Sequence, residues 1–366
     1  MTLLYLAPEA MVRPLTGGRE RARRVLRWLA ARRPLHLAAC ADEAEARALE
    51  ALAREAGLAG LTVLPYPAGW RGYGGLRGRV ARLAREMAFT AVHCVGHELW
   101  AAAQRVPLGA GGRRVLELHD VPEHWRRGMD ERSDAWQRQA VLKTLAAADD
   151  IIAVSDAERD LLRAWGCTAR VQVAGNGVDL DYWGAVEAAE DAGPVMLFPA
   201  AFNWPPNEAA ARALVEAVLP LVREQVPDAT VRLAGRRPGP GVRALADRPR
   251  VELLADVEDM RPLFARARLI VVPTRAEGGT RLKILQAMAA GRAVVSTPEG
   301  ASGLGLMAGR DLVVAPLVEA FAGEAARLLM DTEAREALVN AGQAAARRFG
   351  WETVLGALDD VYPAAA

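Results

Sequence analysis

The stretch from Val271 to Gly300, V-V-P-T-R-A-E-G-G-T-R-L-K-I-L-Q-A-M-A-A-G-R-A-V-V-S-T-P-E-G, contains the pattern that decides the fold. It begins with an apolar run of strand length, and the pair Gly278-Gly279 follows. The next apolar positions have the spacing of a helix that packs on a sheet. Gly291 ends this helix, and Ala293–Thr297 has the apolar character of a second buried strand. The stretch therefore predicts a strand, a glycine-rich turn, a helix and a further strand.

The turn of this unit is suited to an anion. Glycine at positions 278 and 279 lets a ligand approach the backbone. Thr280 is predicted to cap the helix, whose first N–H groups would face the ligand. Arg281 and Lys283 place two positive charges beside the helix start. The predicted ligand is a phosphate or diphosphate; the alternative is a helix start with two solvated cations and no ligand.

The order of residues in this stretch resembles the signature of the retaining, family-4-like (group 1) nucleotide-sugar glycosyltransferases. It is closest to a bacterial exopolysaccharide-type branch with the pattern G-G-G-T-R-L-K-I-L-E-A-M-A-x-G-x-P-V-V-S-T. Shorter matches follow in the same order along nearly the whole chain, among them Thr16-Gly17-Gly18-Arg19, Leu118-His119-Asp120-Val121, Asn176-Gly177-Val178-Asp179 and Asn203-Trp204-Pro205-Pro206-Asn207. The resemblance implies the glycosyltransferase B fold, in which two doubly wound, Rossmann-like α/β domains face a cleft.

Strand and helix patterns also alternate along the chain, which by itself predicts doubly wound parallel sheets. We expect an N-terminal acceptor-side domain over 1–180, an acidic linker over 181–194 and a nucleotide-sugar-binding domain over 195–350. The segment 351–366 has helical spacing, and the resemblance implies that it crosses back to the first domain. Among the other predicted elements are helices over 123–147 and 207–224, a turn over 235–241, and a helix whose capping box is Ser155 with Glu158.

Length and charge narrow the class of protein. The 366 residues suffice for two domains that each bury a core. The 46 Lys and Arg residues nearly cancel the 45 Asp and Glu residues, which argues against bulk nucleic-acid binding. Arginines crowd two segments, 19–27 and 71–85. They form either a solvated face or a basic face that meets anionic lipid or a phosphorylated acceptor.

Cysteine usage and hydropathy indicate the compartment. Cys40, Cys94 and Cys167 are odd in number and far apart, so no disulfide framework is predicted. The chain begins without a basic leader, and no run of ~20 apolar residues occurs in the sequence. We expect a cytoplasmic protein whose membrane contact, at the inner face, is peripheral.

The resemblance assigns the donor site residue by residue. Arg281 and Lys283 would stabilise charge on the departing diphosphate. Gln286 occupies the position of a family glutamate that binds the ribose, so it keeps hydrogen-bonding capacity without charge. The other family glutamate falls on Gly278; Glu277, one residue earlier, either reaches the donor sugar through a shifted turn or faces solvent. Two further candidates for the diphosphate follow a strand in the same domain, Arg236 and Arg237.

The acceptor is expected near the first domain's Gly17, Gly18 and His119. His119 follows a predicted strand, where an imidazole can donate hydrogen bonds to a sugar or manage a proton. Asp120 either orients this ring or caps the next helix. Three tryptophans are candidates for stacking on sugars, with packing as the alternative: Trp100, Trp125 and Trp204.

The reaction implied by the resemblance is transfer of a sugar from a nucleotide diphosphate donor to an acceptor hydroxyl, with retention at the anomeric carbon. The acceptor is a glycan, a lipid-linked compound or a small molecule, and polysaccharide biosynthesis is the implied setting. The catalytic candidates are His119, Glu277, Arg281 and Lys283. No metal is required, and no cofactor is expected because the nucleotide sugar is a substrate.

Three alternatives have distinct signatures. A scaffold that binds nucleotide or glycan with weakened catalysis is motivated by Gln286 and the missing first glutamate. A nucleotide-sugar epimerase shares the architecture and would isomerise the donor without an acceptor. A dinucleotide-dependent oxidoreductase is disfavoured because no G-x-G-x-x-G follows the first strand. A zinc site at His93, Cys94 and His97 would need a helix to place both histidines on one face, and it is disfavoured because 91–95 is predicted to be a strand.

Overall fold

A computed structural model describes residues 2–12, 17–67, 75–122, 129, 135–187, 189, 193–276 and 280–362. The chain forms two compact units, one of Met1–Gly175 with Leu355–Ala366 and the other of Asn176–Val354. Glu277, Gly278 and Gly279, for which the sequence makes predictions, lie outside the described residues, as does Trp125.

The first unit is built on a seven-stranded, all-parallel sheet. Apolar runs such as Leu3–Ala7 form strands buried at every position, because helices cover both faces of such a sheet. The strands are β1 Thr2–Ala7, β2 Leu35–Cys40, β3 Gly60–Leu64, β4 Phe89–Val95, β5 Leu108–Glu117, β6 Asp150–Ala153 and β7 Arg170–Val173. The helices are α1 Gly17–Ala30, α2 Glu43–Glu55, α3 Arg77–Glu86, α4 Trp100–Ala103, α5 Ala135–Ala146 and α6 Asp156–Ala164.

The second unit is built on a six-stranded parallel sheet. Its strands are β8 Val195–Ala201, β9 Thr230–Arg236, β10 Val251–Ala255, β11 Leu269–Val272, β12 Ala293–Ser296 and β13 Val313–Val314. Its helices are α7 Leu180–Gly184, α8 Pro205–Ala213, α9 Leu219–Gln225, α10 Pro240–Leu245, α11 Arg261–Ala265, α12 Leu282–Ala289, α13 Pro298–Ala301, α14 Glu319–Met330 and α15 Thr332–Ala346. A last short helix, α16, spans Trp351–Leu355.

Both sheets have the same strand order. The first is β3-β2-β1-β4-β5-β6-β7 and the second is β10-β9-β8-β11-β12-β13. In each, the first strand of the unit lies between its second and its fourth, so the order reverses at β1/β4 and at β8/β11. In open parallel sheets, ligands bind at the carboxyl ends of the strands at such a reversal. The prediction of two doubly wound, Rossmann-like domains is confirmed. In each unit, the strand reversal marks the sheet edge where a ligand is expected.

Several boundaries differ from the predicted ones. The helix expected from residue 207 begins at Pro205, because proline fits the first turn of a helix, and a π-helical turn at Leu214–Val218 separates α8 from α9. The turn expected over 235–241 is shorter, since β9 continues to Arg236 and α10 begins at Pro240. Of the helix expected over 123–147, the structure describes α5.

The capping box predicted for α6 is only half formed. The Ser155 hydroxyl accepts the Glu158 backbone N–H at 3.3 Å, as expected. The Glu158 side chain, however, accepts the backbone N–H of Val121 at 3.1 Å. Glu158 is 3% exposed, so its carboxylate is used to hold the loop after β5.

The end of the chain belongs to the first unit. A 3-10 helix, Gly356–Asp360, is followed by Tyr362, whose hydroxyl lies 2.8 Å from His93 Nδ1. Arg33 donates to the Tyr362 carbonyl at 2.9 Å, and Arg170 donates to the Asp360 carbonyl at 2.6 Å. These bonds tie the last described residues to the turn after α1, to β4 and to β7.

Across the described ranges, no helix is both long enough and apolar enough to cross a bilayer.

Candidate functional site

In the second unit, the chain after β8 and the chain after β11 meet at the carboxyl edge of the sheet. Trp204 follows β8 and is 40% exposed. Arg281, which follows β11, lies with its guanidinium carbon 5.5 Å from the centre of the Trp204 ring. The two loops that the strand reversal selects are therefore in contact.

Arg281 is the N-cap residue of α12, with an extended backbone and no capping bond from its side chain. Its guanidinium donates to the Ala276 carbonyl at 2.7 Å, which brings it back toward the loop after β11. The prediction that Thr280 caps this helix is wrong. Thr280 lies one position before the cap, and its hydroxyl accepts a hydrogen bond of 2.7 Å from the side-chain amide of Asn176, which is buried beside it.

Lys283 reaches across to β8, with its ammonium 4.6 Å from the centre of the Phe198 ring. Burial of the ammonium, followed by the nearby charge of Arg281, lowers the pKa of Lys283 to about 7. It forms no ion pair with any residue in the part of the chain that is described. An anion that binds beside a shielded lysine without a counter-charge stabilises the charged form of that lysine.

The remaining donor-side candidates are arranged around this edge. Gln286 lies one turn into α12 with intermediate exposure. Arg236 ends β9, and Arg237 follows it with a positive φ of 49° while its N–H donates to Asp256 at 3.0 Å. Gly235, at φ 152°, lets these strand ends approach, since a Cβ there would overlap the Ala200 carbonyl oxygen. Arg236 and Arg237 thus share the carboxyl edge with β8.

In the first unit, a cavity of about 330 Å³ lies at the corresponding edge. Its walls come from the ends of β1, β4 and β5 and from the start of α1. The polar residues that line it are Glu9, Arg19, His97, Glu98, His119 and Asp120. The cavity therefore sits at the reversal between β1 and β4, where the fold predicts a ligand.

Two of the three predicted acceptor-side residues line this cavity, His119 and Gly18. A Cβ at Gly18 would lie 3.1 Å from His119 Nδ1, so glycine leaves room for the imidazole against the start of α1. Gly17 is the exposed first residue of that helix and is not among the lining residues.

Beneath the cavity lies a buried cluster that the sequence analysis missed. Glu117, at the end of β5 and 0% exposed, accepts from Arg21 at 2.5 Å and lies 2.7 Å from His93 Nε2. Burial alone would raise its pKa, but Arg21 and the neighbouring histidines hold the pKa of Glu117 well below its usual range. His119 Nε2 is 3.6 Å from Glu117 Oε1, so the cavity's imidazole rests on an ionised carboxylate.

A signal for this cluster was present in the sequence. Glu117 is the only charge in the apolar strand Val115-Leu116-Glu117-Leu118, and Arg21 precedes apolar Val25 by one helical turn. Charged residues on buried faces are rarely unpaired. His93 belongs to this cluster, whereas His97 lines the cavity; the described residues hold no group of three or more His, Cys, Asp or Glu placed to bind a metal.

Of the tryptophans expected to stack on sugars, Trp100 is a packing residue. It is 1% exposed, and its indole N–H donates to the Thr144 carbonyl at 3.0 Å. Trp204 keeps an accessible ring at the donor-side edge.

Known proteins resemble both units. Residues 16–182 match the family described as Glycosyltransferase Family 4, and residues 193–331 match the family described as Glycosyl transferases group 1. No curated protein sequence matches the chain. These matches support a group 1 glycosyltransferase.

Solved structures share the fold over nearly the whole chain. HepE (Alr3699) of Anabaena, in complex with UDP and glucose, is 17% identical with a TM-score of 0.75 over 99% of both chains. Sucrose-phosphate synthase of Thermosynechococcus elongatus is 15% identical with a TM-score of 0.76 over 99% of this chain and 98% of its own. The E. coli trehalose-6-phosphate structure bound with UDP-2-fluoro glucose is 10% identical with a TM-score of 0.72 over 98% of both chains. The predicted glycosyltransferase B fold is confirmed.

Proposed function

We propose that this chain, whose two units match group 1 and family 4 glycosyltransferases, is a retaining, metal-independent enzyme of the exopolysaccharide-type branch. It transfers a sugar from a nucleotide diphosphate donor to a hydroxyl of a glycan, lipid-linked or small-molecule acceptor. The observation that carries the proposal is the pair Arg281 and Lys283 at the start of α12, beside the strand reversal of the second unit. The UDP and UDP-glucose bound by HepE agree with this class of donor.

The two cations supply what sugar transfer needs most. As the bond to the anomeric carbon breaks, negative charge grows on the diphosphate, and cations fixed in advance lower the energy of that transition state. Lys283 lacks a carboxylate partner among the described residues, so it is available to the diphosphate. The charge of Arg281, together with that of Lys283 once a bound diphosphate raises the Lys283 pKa, supplies the electrostatic role that a metal would otherwise fill. Gln286, one turn on, is proposed to bind the ribose hydroxyls, and Arg236 and Arg237 to assist with the diphosphate.

The acceptor is proposed to enter the cavity of the first unit. His119 is the residue there whose imidazole can donate to, or accept from, a sugar hydroxyl, and Glu117 supports the ring from below. Glu277, Gly278 and Gly279 keep their proposed roles at the donor sugar and at the glycine-rich turn. No cofactor beyond the two substrates is required by this scheme.

A binding screen tests the donor site. Uridine, guanosine and adenosine diphosphates and their glucose conjugates are titrated calorimetrically against the wild type without metal. We expect one base to be preferred and Arg281→Ala to weaken its binding by about 1.5–3 kcal/mol, the range for a hydrogen bond to a charged group. Arg327→Ala is the matched control, because Arg327 pairs with Glu324 on an exposed face of α14. Equal binding by wild type and Arg281→Ala would remove the donor site from this position.

The second candidate is a scaffold with weakened catalysis, favoured by Gln286 in place of a glutamate. Turnover of the bound donor, by transfer or by slow hydrolysis, decides between the two. A product whose anomeric proton has the same configuration as the donor supports the retaining enzyme, whereas binding without turnover supports the scaffold.

Peripheral membrane contact at the cytoplasmic face is proposed for α3. The arginines of α1 are largely engaged within the unit, since Arg19, Arg21 and Arg27 pair with glutamates at 3.0 Å or less. The α3 arginines at positions 77, 79 and 85 are exposed. Sedimentation with vesicles containing anionic lipid, compared between wild type and Arg77→Glu/Arg79→Glu, tests this surface; equal sedimentation contradicts it.

A further inference from the structure

The described walls of the first unit's cavity carry a net negative charge. Three carboxylates line it, Glu9, Glu98 and Asp120, against the one guanidinium of Arg19. Counting the carboxylates and the guanidinium alone, three negative charges against one positive charge leave a net charge of −2. A phosphorylated ligand would bring further negative charge into this space.

Arg19 is already engaged by carboxylates. Its Nε donates to Glu9 at 2.7 Å and its Nη1 donates to Glu45 at 3.0 Å. The Tyr66 hydroxyl donates to the second oxygen of Glu45 at 2.8 Å, which fixes that carboxylate in place. The guanidinium is only 11% exposed, so a phosphate would have to displace a formed network to reach it.

The floor of the cavity adds no positive charge. Glu117 and Arg21 form a buried pair whose charges cancel, and both side chains are at most 1% exposed. The second oxygen of Glu117 faces His93, so the carboxylate is bonded on both sides. The cations of α1 that could attract an anion into the cavity are therefore balanced within the unit.

Among the described walls, the start of α1 favours an anion, but its effect is smaller than that of the carboxylates. Gly18 and Arg19 belong to the first turn of this helix and line the cavity. A helix N-terminus is equivalent to about half a positive charge. Glu20 in the same turn offsets part of it. The backbone N–H groups of this turn can also donate to a neutral hydroxyl oxygen.

We propose that this cavity selects a neutral, hydroxyl-rich acceptor, a sugar or polyol, and rejects phosphorylated or carboxylated ones. The inference rests on the proposed function, because it specifies the acceptor of that reaction. The carboxylates can accept a hydrogen bond from a sugar O–H group. His119 and the α1 N–H groups can donate to the hydroxyl oxygen, so the lining can bind a sugar hydroxyl both as a donor and as an acceptor. A lipid-linked acceptor fits if the part that enters is an uncharged sugar.

Matched pairs of probes test the proposal on the full chain. Methyl α-glucoside is compared with glucose 6-phosphate, and myo-inositol with inositol 1-phosphate, by ligand-observed NMR titration at about 20 mM salt, where screening is weak. We expect at least one neutral probe to bind, and its phosphorylated partner to bind about tenfold more weakly. Phosphorylated probes that bind as tightly as the neutral ones, or neutral probes that all fail to bind, overturn the proposal.

Variants identify the cause of the discrimination. Glu98→Gln/Asp120→Asn should narrow the tenfold difference to about threefold or less, since two of the repelling charges are gone. The control, Glu319→Gln/Glu336→Gln, changes the net charge equally at exposed positions of the second unit and should leave the difference intact. A nucleotide titration of the same samples distinguishes failure of this inference from failure of the proposed function. Intact donor binding without acceptor discrimination contradicts this inference alone, whereas absent donor binding contradicts the proposed function.

Discussion

The two units share a strand order and differ in how they use their cations. In the first, the arginines of α1 pair with glutamates inside the unit, as Arg21 does with Glu117 at 2.5 Å. In the second, Lys283 has an aromatic ring beside it and no carboxylate partner among the described residues. The strand reversal selects the edge where a ligand binds in both units. In the proposed function, the balance of charge at that edge determines which ligand each unit binds.

The pKa values show the same difference. Glu117 is buried, yet its pKa is held well below the usual range because Arg21 and the histidines compensate it. Lys283 is half-buried and has no carboxylate partner among the described residues, and its pKa falls to about 7. A compensated group stabilises the fold, whereas an uncompensated one is costly until a ligand of opposite charge arrives. This contrast supports a structural role for the first cluster and the donor-binding role proposed for Lys283.

The largest expected effect is the loss of Glu117. Glu117→Ala leaves Arg21 buried with its positive charge uncompensated, and removing one partner of a buried pair costs about 3–5 kcal/mol. We expect that loss in the free energy of unfolding of the first unit, measured by urea denaturation. Glu55→Ala is the control, because Glu55 is 60% exposed where it pairs with Arg27 and should cost at most about 1 kcal/mol.

A double variant shows whether the loss of stability in Glu117→Ala comes from the uncompensated charge or from the lost side-chain volume. Arg21→Met/Glu117→Leu removes both charges, so it should be more stable than Glu117→Ala alone. A double variant less stable than the single one would mean that the cluster contributes through packing, and the distinction between structural and ligand-binding charges would fail.

The second prediction concerns the pH dependence of donor binding. In the free protein Lys283 is half protonated near pH 7, and a bound diphosphate raises its pKa by supplying an opposite charge. Binding of a nucleotide sugar, whose diphosphate does not titrate in this range, should therefore take up a proton above pH 7. Its affinity should fall by up to about tenfold per pH unit as the pH rises above 7, and should level off below about pH 6. Calorimetry in buffers of different ionisation enthalpy measures the proton uptake.

Arginine at the same position provides the control. Lys283→Arg keeps the charge at every pH tested, so the decline above pH 7 should disappear even if the affinity changes. Lys283→Met should bind weakly and without proton uptake. A wild-type affinity that is constant from pH 6 to pH 9 would show that Lys283 does not contact the anion.

The sheets could be predicted from the sequence because continuous apolar runs of strand length are stable only when both of their faces are buried. Val271-Val272 and Ala293–Ser296 cannot be exposed, and a parallel sheet covered on both faces is the arrangement that buries such runs. Arg281, Lys283 and His119 were identified from a linear pattern, and each lies at the carboxyl edge of its sheet.

Long-range side-chain bonds were beyond sequence reasoning. Glu117, His93 and Tyr362 come together from positions up to 269 residues apart, and no local period relates them. Thr280 was assigned to a cap because threonine has that local preference, but a partner 104 residues away uses its hydroxyl. Local preference decides a side chain's role only where tertiary contacts do not compete for it.

The smallest expected effect concerns that partner. Asn176 is 8% exposed, and its amide holds Thr280 one residue before Arg281, so it should set the position of the guanidinium without contacting the donor. We expect Asn176→Ala to raise the donor KM about threefold to tenfold with little change in kcat, since a neutral hydrogen bond contributes about 1 kcal/mol. Thr280→Val should have the same effect, and the double variant should be no worse than either single one. Effects that add would show that the two residues act separately, and would remove the link between the start of the second unit and its donor site.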